Sequence, residues 1–101
     1  MPEIHFRVEW PDGRQENCYS PSLIVKDYFE EGKNYSLDDF LERSRTSLKI
    51  ADQRVFAKYG MHCTAAMSQL DRIEKAVLEY QAQPAGTAQP AGTVRLVQFI
   101  T

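Results

Sequence analysis

Residues 4–19 read IHFRVEWPDGRQENCY, and this stretch decides the fold class. Ile4, Phe6, Val8 and Trp10 alternate with His5, Arg7 and Glu9, the period at which the side chains of a strand fall on opposite faces of a sheet. Pro11-Asp12-Gly13 then reverses the chain. Pro presets φ, Asp hydrogen-bonds nearby backbone and Gly tolerates positive φ, so a hairpin returns through residues 14–19. The returning strand is polar, as suits a sheet edge. A terminal strand over residues 94–101 places Val94, Leu96, Gln98 and Ile100 on one side and Arg95, Val97, Phe99 and Thr101 on the other. With both faces partly apolar, it is expected inside the sheet, paired with the first strand.

The segments between are helical. Ser20-Pro21-Ser22 reads as a helix start, because Ser caps free N–H groups and Pro in the first turn loses no hydrogen bond. A two-turn helix over residues 23–29 is expected to end near Gly32, although Leu23-Ile24-Val25 also suits a short strand. Next, Ser36 is a good N-cap, and Asp38 and Asp39 suit a first turn. Leu37, Phe40, Leu41, Ser44, Leu48, Ala51, Val55 and Tyr59 then recur at helical intervals up to Gly60. Arg45 and Lys49 flank one edge of this stripe and Arg43, Arg54 and Lys58 the other, the solvated border of an amphipathic helix. Ile50 faces away from it, as incidental exposure. A further helix over residues 64–80 carries Ala66, Leu70, Ile73, Val77 and Tyr80, widened by Met67 and Leu78, and the short connection over residues 60–63 makes the two long helices antiparallel neighbours.

Between that helix and the last strand lies a tandem repeat, AQPAGT at residues 82–87 and again at 88–93. Its Pro and Gly content predicts a flexible loop over residues 81–93, and two copies are too few for a solenoid. It contains no PxxP. The expected fold is therefore α+β, in a single domain over residues 1–101. An N-terminal β-hairpin, a short helix, a two-helix antiparallel hairpin and a C-terminal strand complete a small, mainly antiparallel sheet packed on the helices.

Composition narrows the function. The chain has 101 residues, 43% of them hydrophobic, and a chain of that size buries roughly two thirds of its extended surface, enough for one modest core. Twelve Lys and Arg against fourteen Asp and Glu give a formal charge of −2, which argues against a nucleic-acid partner. No apolar run approaches a membrane span and no secretory leader is evident, so a cytoplasmic protein with Cys18 and Cys63 as free thiols is expected.

No P-loop, dinucleotide fingerprint, HExxH, EF-hand, GxSxG or CxxC is present, and no cofactor is expected. Cys18, His62 and Cys63 are zinc-type ligands that lack a fourth, which keeps a metal-binding regulator open. Cys63, near a helix N-terminus, would gain thiolate character, which keeps open a small thiol-dependent enzyme or carrier using Cys18 or Cys63. Buried structural cysteines are the ordinary alternative. Lys26 and Asp27, adjacent on a helix, point apart and form no acid–base pair. Tyr28, Tyr35 and Tyr59 suit core or rim packing.

Four segments carry a resemblance: VEWPDG at residues 8–13, CYSPS at 18–22, VKDY at 25–28 and SRT at 44–46, followed by the Tyr59-Gly60 helix end and the Cys63 helix start. Together they resemble a small bacterial family of nitrogen starvation response proteins, encoded beside a nitrilase-like amidohydrolase in a biosynthetic-type gene cluster. The resemblance spans residues 1 to about 80, and the duplicated AQPAGT departs from that family's shorter connection. It implies a cytoplasmic protein tied to nitrogen limitation and supplies no catalytic residue. Of the matching positions, Trp10, Asp12, Tyr19, Ser20, Ser22, Lys26 and Asp27 are the candidate binding surface, at the hairpin end and helix start. The expected role is a non-enzymatic accessory or interaction protein with a protein partner, such as an enzyme of the same gene cluster. Neither nucleic acid nor membrane is expected as a partner, and the chain is read as a monomer or homodimer.

Overall fold

The alternating N-terminal segment forms strand β1 (Ile4–Glu9) and the polar return forms β2 (Gln15–Ser20). Between them Gly13 adopts φ 89°, its N–H donates to Trp10 O at 2.8 Å, and Asp12 Oδ1 accepts from the Arg14 N–H at 3.0 Å. The structure, a computed structural model, describes residues 3–62, 64–82 and 92–100. The further elements are α1 (Val25–Tyr28), β3 (Asn34–Ser36), α2 (Leu37–Tyr59), α3 (Thr64–Gln81) and β4 (Thr93–Ile100).

The sheet is antiparallel in the order β2-β1-β4-β3. The polar β2 is indeed an edge, and β4 lies inside the sheet beside β1, as its two apolar faces require. Four features of the sheet and its connections differ from the sequence reading. The first is β3: only three residues long, it pairs Tyr35 with Val94 and runs directly into the cap of α2, too short for any period to show.

The second is a bulge in β4. Arg7 pairs with Gln98 but Val8 pairs with Leu96, leaving Val97 between them. An extra residue reverses the inward parity of everything after it. Phe99 therefore packs on the core side with Val94 and Leu96, while Gln98 and Ile100 lie opposite Arg7 and His5. Third, the helix expected over residues 23–29 is the single turn α1, which begins at Val25. The residues before it are held in a turn by serine hydroxyls instead. Fourth, the segment expected as a loop over residues 81–93 is entered by regular structure at both ends: Gln81 belongs to α3 and Thr93 to β4. Residues 83–91 of the repeat lie outside the described residues.

Both long helices form where their periodicity places them. Ser36 Oγ accepts from the Asp39 N–H at 3.1 Å, and Gly60, at φ 73°, ends α2 with its N–H on Phe56 O. The helices are antiparallel neighbours, with Gln81 Nε2 donating to Asp38 and Arg45 reaching Glu74. They cover one sheet face. Ile4, Phe6, Val8, Val94 and Leu96 meet Phe40, Leu48, Leu70, Ile73 and Val77 there. Through this core runs a series of rings: Tyr80 stacks on Trp10, Trp10 meets Phe40 edge-on, and Phe40 leads through Phe29 to Phe6 and Tyr35. Such contacts contribute roughly 0.5–1.5 kcal/mol each beyond simple burial. Met67 and Leu78 do not widen the α3 stripe, since both are exposed, and Ile50 is half-buried. No helix among the described residues is long and apolar enough to cross a membrane.

Candidate functional site

Strand length divides the expected surface. Glu9 pairs with Gln15 at the turn and Ile4 with Ser20 at the other end, and six residues of strand span roughly 20 Å. Trp10 and Asp12 belong to the turn end, whereas Ser20, Ser22, Lys26 and Asp27 gather at the far end beside Tyr19. Trp10 is 1% exposed and serves the core. Asp12 is exposed, and its carboxyl is held below its ordinary value, first by the Arg14 amide and then by the Tyr80 hydroxyl.

At the far end, chain direction changes inside a set of hydroxyl contacts. Ser20 and Ser22 are buried. Ser20 Oγ donates to Ser22 O at 2.8 Å and accepts from the Ser22 N–H at 3.3 Å. Ser22 Oγ accepts from the Ile24 N–H at 3.3 Å and from the Arg54 guanidinium at 3.1 Å. These hydroxyls satisfy backbone and cation that would otherwise be stranded in a turn, and none is paired with an imidazole as an activated nucleophile would be. The corner they fix presents Leu23, Lys26 and Asp27 to solvent, with Tyr19 half-buried beside them. Lys26 Nζ lies 5.9 Å from the centre of the Phe99 ring, and the Tyr19 ring meets His5 edge-on at 5.6 Å.

Further side chains position this corner without a signal in the local sequence. Gln69 Oε1, from α3, accepts the Tyr19 N–H at 3.1 Å and so occupies part of the open edge of β2. Arg43 donates to Tyr28 O at 2.7 Å, holding the end of α1, and is itself paired with Asp39. Arg43 and Arg54, read from the sequence as part of a solvated border, are thus tethers to the α1 corner. The i,i+4 spacing of Asp39 and Arg43 was a usable hint for one of them.

The cysteine and histidine readings separate as well. Cys18 is fully buried, and burial pushes its thiol up, the opposite of an activated nucleophile. Cys63 lies outside the described residues. His62 Nδ1 sits 2.7 Å from Asp52 Oδ2, with its ring stacked on Phe56 at 4.6 Å. Among the described residues, no three His, Cys, Asp or Glu side chains converge as a metal site would require.

Comparison with curated proteins and with solved structures gives no match. A family model described as nitrogen starvation-induced protein NitG matches residues 5–98, a span that takes in nearly all of β1, the whole of β2, the α1 corner, the helical pair and nearly all of β4, and the chain belongs to that family.

Proposed function

We propose that the protein is a cytoplasmic accessory protein of the nitrogen-starvation response, acting by binding a protein partner through the α1 corner. The observation that carries this reading is the division of labour there. Ser20, Ser22 and Arg54 are consumed in fixing the backbone, while Leu23, Lys26 and Asp27 face outward on that fixed frame beside Tyr19. A preordered frame with an aromatic, an aliphatic and two opposite charges suits recognition, because little side-chain and loop ordering is needed on binding. An enzyme encoded in the same gene cluster is the partner class that the family context favours.

Affinity capture from nitrogen-limited cells tests this, with the parent chain beside Tyr19→Ala and Lys26→Ala. A partner recovered by the parent and depleted in both variants is expected. Equal recovery by all three removes the corner, and no recovery above an unrelated bait removes the binding role.

A further inference from the structure

The sheet ends on β2 at one side and β3 at the other. β3 is three residues long, whereas β2 has six and keeps one register along β1 without a bulge. The direction of its backbone groups follows from the hairpin. The Trp10 N–H donates to Arg14 O at 2.8 Å, and bonded pairs alternate along antiparallel strands. Glu16, Cys18 and Ser20 therefore bond to β1, while Gln15, Asn17 and Tyr19 turn their N–H and C=O groups outward. Tyr19 shows the same parity, since its N–H meets Gln69. Gln15 and Asn17 are exposed, and β2 contains neither Pro nor Lys to keep another strand away.

Gln69 stands where a neighbouring strand's carbonyl would stand. Its Oε1 accepts the Tyr19 N–H, but its Nε2 is buried with no partner among the described residues. Exchanging this acceptor for a main-chain carbonyl keeps the Tyr19 bond and releases a stranded donor to water, so displacing Gln69 costs little.

Charge selects what lies beside this edge. Glu16 is on the helix side of the sheet, sharing that side with Cys18. Arg72, exposed on α3, acts on the Cys18 thiol in the sense opposite to Glu16, so an anion and a cation both lie near Cys18. A second β2 laid antiparallel about a twofold axis at Asn17 sets Gln15 opposite Tyr19 and Glu16 opposite Cys18. Each Glu16 then comes toward the Arg72 of the other copy. An axis at Glu16 would instead set two carboxylates against each other. With the axis at Asn17, every outward group of Gln15, Asn17 and Tyr19 finds a partner, and the contact closes on itself as an isologous pair.

We infer that β2 pairs antiparallel with the β2 of a second copy of this chain, about a twofold axis at Asn17, joining the two sheets into one. This goes beyond the α1 corner and uses none of Leu23, Lys26 or Asp27.

Sedimentation equilibrium and amide exchange of the full chain test it. The parent is expected to dimerise as concentration rises, with the Asn17 amide open when dilute and protected in the dimer, and the Glu16 amide protected throughout. Asn17→Lys and Asn17→Glu each set like charges together at the axis and should weaken dimerisation about fivefold, whereas a mixture of the two should restore it. Gln69→Leu has no amide to displace and should dimerise at lower concentration, its Tyr19 amide opening only in dilute solution. A parent that stays monomeric to about 1 mM overturns the inference. So does a dimer whose Asn17 amide remains open, a mixture no tighter than its components, or a Gln69→Leu chain that dimerises no more readily than the parent.

Discussion

Gly92 lies so close to Leu37 that a methyl group on its α-carbon would sit 2.5 Å from Leu37 Cδ1 and 3.0 Å from Pro11 Cγ. Its carbonyl also accepts the Leu37 N–H at 3.3 Å, joining the start of β4 to the start of α2. The last glycine of the second AQPAGT copy is therefore part of the packed unit. Gly92→Ala forces the buried Leu37 side chain aside and is expected to lower stability by about 1–3 kcal/mol. Urea unfolding checks this, and an unchanged midpoint would show that Leu37 yields without cost.

A second prediction concerns the helical hairpin. Asp52 is 7% exposed and lies 2.7 Å from His62 Nδ1, and a buried carboxylate keeps its place only while its contacts hold. His62→Ala removes one contact and the ring stacked on Phe56. A loss of about 1–2 kcal/mol is expected, with faster amide exchange at the end of α2 and little change in β1. Uniform acceleration across the chain would mean that the contact supports the whole fold rather than the tip.

The edge of β2 gives a third. Gln69 Oε1 accepts the Tyr19 N–H, while its Nε2 is buried with no partner among the described residues. Gln69→Leu deletes both the acceptor and this unsatisfied donor, so the two effects offset and a net loss of about 1 kcal/mol or less is expected. The Tyr19 amide should nonetheless exchange faster than its neighbours in β2. Unaltered exchange there would show that the Gln69 contact does not protect the edge.

These contacts mark where the sequence became uninformative. The β1 alternation and the stripes of α2 and α3 were legible because burial on one face imposes a period, and Ser36, Asp39 and Gly60 were legible because caps are local chemistry. β3 was not, since Tyr35 alone carries its inward face, and neither was the bulge at Val97, which exists only in relation to Arg7 and Val8 on another strand. For the site, the α1 corner could be read from Ser20, Ser22 and Lys26, but grouping Trp10 and Asp12 with it failed because residues close in sequence are separated by the length of a strand. Gln69, Arg54 and the Asp52–His62 pair depend on helix packing, which no local pattern encodes.

The final prediction is alkaline sensitivity centred on Tyr80. Burial, with the Asp12 carboxylate as its hydrogen-bond partner, pushes the phenol from its ordinary 10.0 up to about 12. Folding therefore favours the protonated ring, and its contribution is complete below pH 10 and lost as pH rises through about 12. Burial raises the Cys18 thiol too, so Cys18 adds to the same alkaline loss. Asp12 acts in the opposite sense: held low by the Arg14 amide, its contribution is present above its ordinary 3.8 and disappears as pH falls below it. Thermal unfolding of the parent and Tyr80→Phe from pH 7 to 12 separates these effects. The stability gap between them should be constant to about pH 10 and then shift against the parent, because only the parent must ionise the partly buried Tyr80 phenol. A gap that stays flat to pH 12 would show that the Tyr80 hydroxyl titrates as it does in the unfolded chain.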